Sequence, residues 1–109
     1  MTPAGRVAEL LSRLEVEAAR APATPSPGDR EALPPPVRRY LGRVLPQGVA
    51  RPEGLLRFHQ AGSLRTDPSA TRWYPFTARH WVSPRLPGFV WEARVDLPLR
   101  LHLQVIDSY

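Results

Sequence analysis

The sequence predicts an α+β fold, in which two N-terminal helices precede a four-stranded antiparallel meander sheet, consistent with half of a larger curved sheet. Two observations support this prediction. Apolar residues recur at helical spacing in two stretches before residue 46. From residue 54 onward the spacing changes to two, and turn-forming segments separate four runs of alternating apolar and polar residues.

The composition narrows the class of protein. At 109 residues the chain has room for one domain with a modest core. The absence of cysteine excludes disulfides and thiolate metal sites. The net charge is +5, and its fifteen arginines are spread evenly from Arg6 to Arg100, which favours a solvated basic surface over a nucleic-acid footprint. No segment has the pattern of a signal peptide or a membrane span, so we expect a cytoplasmic protein.

The first predicted helix covers residues 3–20. Thr2 is a suitable N-cap, and Pro3 fits the first turn, where no amide hydrogen is needed. The polar face is too mixed in sign for a membrane-surface helix, so we expect packing on the same domain, with pairing to a second copy as the alternative. One stripe collects the apolar residues at helical spacing, Val7, Leu10, Leu11, Leu14 and Ala18.

A proline-rich segment follows the first helix. The stretch "APATPSPG" has three prolines and one glycine, which predicts an extended linker over residues 21–32. The first helix would then be only loosely tied to the domain formed by residues 33–109.

The second predicted helix covers residues 36–45. Pro36 can open it, and Pro46 with Gly48 ends it. Its apolar stripe comprises Val37, Tyr40, Leu41, Val44 and Leu45, and the opposite face carries Arg38, Arg39 and Arg43. We expect the apolar side to pack on or beside the sheet, where it would cover Trp73 and Trp81.

Four strands are predicted after the second helix. They run from Leu56 to Leu64, from Trp73 to Val82, from Phe89 to Leu97 and from Leu99 to Tyr109. Gly62 is a candidate bulge in the first. Short loops between them indicate an antiparallel meander with one wet face. The fourth strand is then an exposed edge, and a homodimer through residues 99–109 or through helix 3–20 is possible.

Catalytic and metal-binding patterns are absent from the sequence. His59, His80 and His102 lie on three strands, but the alternation does not turn them to a common face, as a metal site requires. Glu92 and Asp96 flank Arg94 in the pattern of a charged strand face. No G-x-S-x-G, phosphate loop or H-E-x-x-H occurs. We therefore assign no catalytic residue, no metal and no cofactor, and expect a protein that is not an enzyme.

Aromatic residues are concentrated between residues 58 and 91. Burial in the core accounts for most of them, because each ring buries about 150–250 Å². A second interpretation is an apolar small-molecule or lipid site on one sheet face, formed by Phe58, Tyr74, Phe76, Phe89 and Trp91. A third is a single-stranded nucleic-acid surface, with cations beside rings, formed by Arg72, Trp73, Arg79 and Trp81. The even spread of arginines disfavours this third interpretation.

Three blocks carry a resemblance to a known family. They are "LPPPVRRYLGRVLPQG" (residues 33–48), "RWYPFTARHWVSPRLPGFVWEARV" (residues 72–95) and the closing "VIDSY". Together they resemble a bacterial family of uncharacterised proteins, known as a domain of unknown function, over residues 33–109. The resemblance implies no activity. It implies further strands after the closing block, and a membrane anchor in some members, so this chain looks like a truncated or N-terminal portion. By analogy with lipid carriers, such a sheet suggests a half-barrel around an apolar ligand.

Overall fold

The computed structural model describes residues 1–22, 30–45 and 52–109, and in it two helices precede a four-stranded antiparallel sheet. The sheet order is β1-β2-β3-β4, so each strand pairs with its sequence neighbour. The predicted α+β meander is thus confirmed. The elements are helix α1 Pro3–Arg20, helix α2 Pro35–Val44, and strands β1 Leu56–Leu64, β2 Tyr74–Val82, β3 Phe89–Asp96 and β4 His102–Ser108.

Helix α1 begins at the predicted cap. The Thr2 hydroxyl accepts a hydrogen bond from the Gly5 amide at 3.0 Å, and Pro3 occupies the first turn. Val7, Leu14 and Ala18 are buried along one stripe. Val7 and Leu14 form a core cluster with Val90 of β3, and the partly buried side chains packed on this cluster are Leu10, Leu11, Leu55, Trp81, Leu86 and Ile106. The expectation of a loosely tied first helix is therefore wrong, because this packing holds α1 on the sheet.

The two sides of the sheet differ in what covers them. Cross-strand partners share a face, so the register places the even-numbered residues of β1 and β2 with the odd-numbered residues of β3 and β4. We call this side the aromatic face. The other side, formed by the remaining strand residues, is the helix face, because α1 packs there around Trp81, Val90 and Ile106. Helix α1 contacts mainly β3 and β4.

Gly62 lies in a regular part of β1. Pairing continues unbroken from Leu56 opposite Val82 to Leu64 opposite Tyr74, so the predicted bulge is wrong. The glycine has a different use. Gly62 pairs with Phe76, and a β-carbon at position 62 would lie 3.1 Å from Cε1 of the Phe76 ring. The missing side chain makes room for that ring on the aromatic face.

The fourth strand starts later than predicted. Residues 98–100 form a short 3₁₀ turn after Pro98, and Leu99 and Arg100 have positive φ angles of 62° and 58°. These left-handed residues reverse the chain, and regular pairing begins at His102 opposite Asp96. At its other end the ladder continues to Tyr109, whose amide and carbonyl each bond to Phe89 at 3.1 Å. The third strand also ends one residue early, and the second begins one residue late.

Helix α2 does not bury its apolar side. Within Pro35–Val44, all of which the structure describes, no side chain is buried, and Tyr40 is 64% exposed. The expected cover over the two tryptophans is wrong: Trp81 packs with α1, and Trp73 is 55% exposed. Residues 23–29 of the predicted linker, together with Pro46 and Gly48, lie outside the described residues. The Cα radius of gyration is 17.9 Å, against about 13 Å for a compact chain of this length.

Candidate functional site

The five aromatic residues proposed from the sequence lie on one side of the sheet. Phe58 comes from β1, Tyr74 and Phe76 from β2, and Phe89 and Trp91 from β3. Each occupies an aromatic-face position in the observed register. Side chains alternate between the two faces along each strand, and residues paired across strands share a face. The observed register therefore places all five rings on the same side.

The rings of this face contact one another across strands. Phe58 and His80 lie with ring centroids 6.2 Å apart, and His80 meets Phe89 edge-on at 5.6 Å. Phe76 and Trp91 form a second edge-on pair at 6.1 Å. The distances and the tilted or edge-on angles of these three pairs are those that the quadrupoles of aromatic rings favour. These contacts join the rings of neighbouring strands into one layer.

Trp91 crosses the middle of the aromatic face. Its indole Nε1 donates a hydrogen bond to Oε1 of Gln60 at 2.9 Å, although β2 lies between their two strands. At the crossing point β2 carries Ala78, which pairs with Gln60 and is buried. The short alanine lets the indole lie across the strand. The indole N–H is the only hydrogen-bond donor of the Trp91 side chain, and it is already bonded to Gln60. The rest of the ring presents an apolar surface.

The margins of the aromatic face are exposed, whereas its centre is filled. Ala78, Ala93 and Val95 are buried, but Phe58 in β1 is 48% exposed and Leu103 in β4 is 46% exposed. These two strands are three strand spacings apart, or about 14 Å. The face is therefore an open apolar platform, with accessible apolar groups at both margins of a filled centre.

The helix face carries a charged ladder. The Arg79 guanidinium donates to Oε2 of Glu92 through Nε at 3.0 Å, and the amide of Gln104 donates to Oε1 of Glu92 at 2.8 Å. Arg94 pairs with Asp96 at 3.3 Å. The charged strand face predicted from Glu92, Arg94 and Asp96 is present. Since Arg79 and Gln104 hold both oxygens of Glu92, its carboxylate is placed as a structural acceptor.

A groove of about 530 Å³ lies along this ladder. His59, Thr77, Arg79, Glu92, Arg94 and Gln104 contribute side chains to its lining. His59 and His102 are on the helix face and His80 is on the aromatic face, as the alternation predicts. Among the described residues, no group of three His, Cys, Asp or Glu side chains is placed to hold a metal ion.

The residues of the alternative nucleic-acid surface are divided. Trp73 and Trp81 lie at opposite ends of β2, and Trp81 belongs to the packing around α1. Arginines do stack on rings nearby: Arg65 lies 4.8 Å from the centroid of Trp73, and Arg72 lies 5.3 Å from that of Tyr74. Arg79 lies 5.2 Å from that of Trp81. The four residues proposed from the sequence therefore do not form one continuous surface.

Two contributors were missed from the sequence. Gln60 falls in phase with Phe58 on β1, and that alternation is the signal that would have placed it beside the rings. Arg65 had no such signal, because its contact with Trp73 depends on the path of the β1–β2 loop.

Within that loop, hydrogen bonds from the Ser69 hydroxyl and amide lower the pKa of Asp67.

Comparisons with known proteins identify a family and no activity. Within the described ranges, no helix is both long and apolar enough to cross a membrane. The cytoplasmic location and the homodimer remain predictions. Neither the curated proteins nor the solved structures include a significant match. A family model does match, over residues 23–109, starting ten residues before the resemblance found in the sequence. The chain therefore belongs to the family of unknown function DUF6544.

Proposed function

We propose that the aromatic face binds an apolar small molecule or lipid, and that the protein is a binding protein with no catalytic site on this face. The observation that carries the proposal is the exposure of a ring-lined sheet face with α1 packed on the opposite side. Burying apolar surface contributes about 25 cal/mol per Å². Phe58 and Leu103 offer such surface on both margins.

The ordered rings favour binding of a small ligand. The His80 ring already contacts both Phe58 and Phe89, and the Trp91 indole is hydrogen-bonded to Gln60. Little side-chain freedom is lost when a ligand lies on them, which lowers the entropic cost of binding. A ligand that contacts both exposed margins must be at least about 14 Å long, the span of three strand spacings. An acyl chain has this shape and polarity.

Single-tryptophan variants provide the test. Trp73→Phe/Trp81→Phe retains Trp91 on the aromatic face, whereas Trp81→Phe/Trp91→Phe retains Trp73 at the start of β2 as the control. We expect long-chain fatty acids to shift the emission of the Trp91 protein and to leave that of the Trp73 protein unchanged. No shift for Trp91 up to the solubility limit of the fatty acids, together with no lipid co-purified on mass spectrometry, would contradict the proposal.

A matched pair of neighbouring residues in β1 sharpens the test. Phe58→Gln removes an exposed ring from the aromatic face, and Arg57→Gln changes the adjacent position on the helix face. We expect Phe58→Gln to weaken fatty-acid binding severalfold and Arg57→Gln to leave it unchanged. If the face is instead covered by a second copy of the chain, Phe58→Gln lowers the mass measured by light scattering without any ligand. That result would replace the ligand by a homodimer.

Single-stranded nucleic-acid binding is the second candidate, supported by arginines stacked on the rings of Trp73, which is exposed, and Tyr74, which is half-buried. Arg65 on Trp73 and Arg72 on Tyr74 form two such pairs at one end of β2. Base stacking on Trp73 would require Arg65 to move from the ring. This candidate predicts binding to oligonucleotides that weakens steeply with salt and is lost in Trp73→Ala. Absence of binding at low salt would eliminate it.

A further inference from the structure

Helix α2 presents an apolar side that the described part of the chain does not cover. Val37, Tyr40 and Val44 are 41%, 64% and 49% exposed, and in Pro35–Val44 the structure places no side chain in the core. These residues recur at three- and four-residue spacing, so they form one continuous stripe along the helix. An exposed stripe of this kind indicates a partner outside the folded sheet.

The charges of α2 are all of one sign. Its three charged residues are Arg38, Arg39 and Arg43, and the helix contains no acid. Helix α1 differs, since three arginines and three glutamates balance along its length. The partner of α2 must therefore accept both apolar side chains and a local charge of +3.

Two of the three arginines, Arg38 and Arg43, lie on either flank of the apolar stripe. At 100° per residue, Tyr40, Val44, Val37 and Leu41 span an arc of about 100°. Measured from the centre of this arc, Arg43 and Arg38 each lie about 110° away on the two flanks, whereas Arg39 and Gly42 each lie about 150° away, near the back. Pro36, Arg39, Tyr40 and Arg43 surround a shallow depression in the surface. Long arginine side chains at these flanks can lay their stems along an apolar layer and keep their guanidinium groups at its polar boundary.

We propose that α2 lies on the surface of a membrane that contains anionic lipids, with its tyrosine and valines in the acyl boundary and its arginines at the phosphates. A flat interface that is apolar below and negative at its edge complements a stripe with basic flanks on both sides. Tyrosine favours the boundary because its ring is apolar and its hydroxyl is polar. Electrostatic attraction and apolar burial thus act on the same side of one helix.

Vesicle binding tests the proposal with the full chain. Vesicles of phosphatidylcholine mixed with phosphatidylglycerol are compared with vesicles of phosphatidylcholine alone by co-sedimentation. We expect binding to the anionic vesicles, weakened about fivefold for each arginine removed and roughly a hundredfold in Arg38→Gln/Arg39→Gln/Arg43→Gln. The control Arg13→Gln/Arg57→Gln/Arg100→Gln changes the net charge equally at exposed positions outside α2, and it should weaken binding far less. Equal loss in both triples would overturn the proposal, because the attraction would then belong to the whole surface.

The cysteine-free sequence allows a direct measurement of orientation. An environment-sensitive fluorophore is attached to Val44→Cys on the apolar stripe or to Gly42→Cys at the back of the helix. We expect a blue shift on anionic vesicles for position 44 and little change for position 42. A shift that is equal at both positions, or absent at both, overturns the proposed orientation.

The aromatic face is a separate route to a membrane and must be distinguished. Phe58→Gln should leave vesicle binding intact if α2 makes the contact. Loss of vesicle binding in Phe58→Gln, with binding retained in the triple arginine variant of α2, would assign the membrane contact to the sheet and overturn the role of α2. Circular dichroism of each variant confirms that the fold is retained. Binding to acidic proteins with no affinity for anionic vesicles would likewise overturn the proposal.

Discussion

The two helices have the same kind of sequence and opposite surroundings. Both are amphipathic, and both have proline in the first turn. Helix α1 buries Val7, Leu14 and Ala18 against the sheet, whereas α2 leaves its stripe exposed. Their lengths are 18 and 10 residues, or about 27 and 15 Å. Helical periodicity therefore predicts that a helix has an apolar side, but it does not predict which part of the protein that side contacts.

A small residue in the loop before β3 contributes to the packing of α1. Gly88 precedes β3, and a β-carbon at this position would lie 2.6 Å from Cδ1 of Leu14. A side chain at position 88 would therefore displace the end of the Leu14 side chain from its place in the core cluster. Gly42 of α2 differs, because nothing lies within 4 Å of its would-be β-carbon. One glycine forms part of a close contact, and the other faces open space.

The largest predicted difference concerns leucine truncation in the two helical segments. Leu14→Ala removes a side chain from the α1 core cluster and should lower the free energy of unfolding by about 2–5 kcal/mol. Leu45→Ala, at the exposed C-cap of α2, should change it by no more than about 0.5 kcal/mol. Urea denaturation followed by circular dichroism measures both. An effect of Leu14→Ala as small as that expected for Leu45→Ala would contradict the packing of α1 on the sheet.

A second comparison uses the two glycines. Gly88→Ala forces a methyl group against Leu14 and should destabilise the fold by about 1–3 kcal/mol. Gly42→Ala should stabilise helix α2 by about 0.5–1 kcal/mol, because alanine is the better helix former and meets no neighbour. Denaturation gives the first value, and amide exchange in α2 gives the second.

The double variant Gly88→Ala/Leu14→Ala checks the cause of the first effect. If the methyl group clashes with Leu14, truncating that leucine relieves the strain, and the two changes together cost less than the sum of the single changes. Strict additivity would contradict the packing of Leu14 on Gly88.

Local patterns predicted the elements and one face of the sheet. Thr2 was identified as the cap of α1 because its hydroxyl precedes a run at helical spacing, and the hydrogen bond is present. The five rings of the aromatic face were grouped correctly because alternation of period two needs no tertiary information. What binds to that face is not contained in the alternation, and its ligand remains a proposal.

Contacts between distant segments were the part that could not be predicted. Both helices offered an apolar stripe to the sheet, and only three-dimensional packing shows that α1 covers Trp81. The bond between Trp91 and Gln60 crosses an intervening strand, so neither neighbouring residues nor pairing rules indicate it. The start of β4 was misplaced because Leu99 and Arg100 adopt left-handed angles that their side chains do not favour.

The helix caps give a smaller difference. Thr2→Ala removes the hydroxyl that accepts from the Gly5 amide, which should lower the free energy of unfolding by about 1 kcal/mol. Pro34→Ala at the N-cap of α2 removes no side-chain hydrogen bond and should have a smaller effect. Amide exchange at Gly5 and in the first turn of α2 localises each effect. Unchanged exchange at Gly5 in Thr2→Ala would show that the cap contributes little.

The smallest predicted effects differ in sign between the helices. In α1, the Arg6 guanidinium pairs with the Glu9 carboxylate at 3.0 Å, and both side chains are more than 40% exposed. Glu9→Gln should therefore lower the free energy of unfolding by no more than about 0.5 kcal/mol. In α2, Arg39 and Arg43 are four residues apart with the same charge, so Arg39→Gln should raise the helix stability by a similar few tenths of a kcal/mol. Amide exchange in each helix measures both, and about 1 M salt should erase both, since it screens exposed charges beyond about 3 Å. A change of the same sign in the two helices would show that the different charge patterns of α1 and α2 do not affect their stabilities differently.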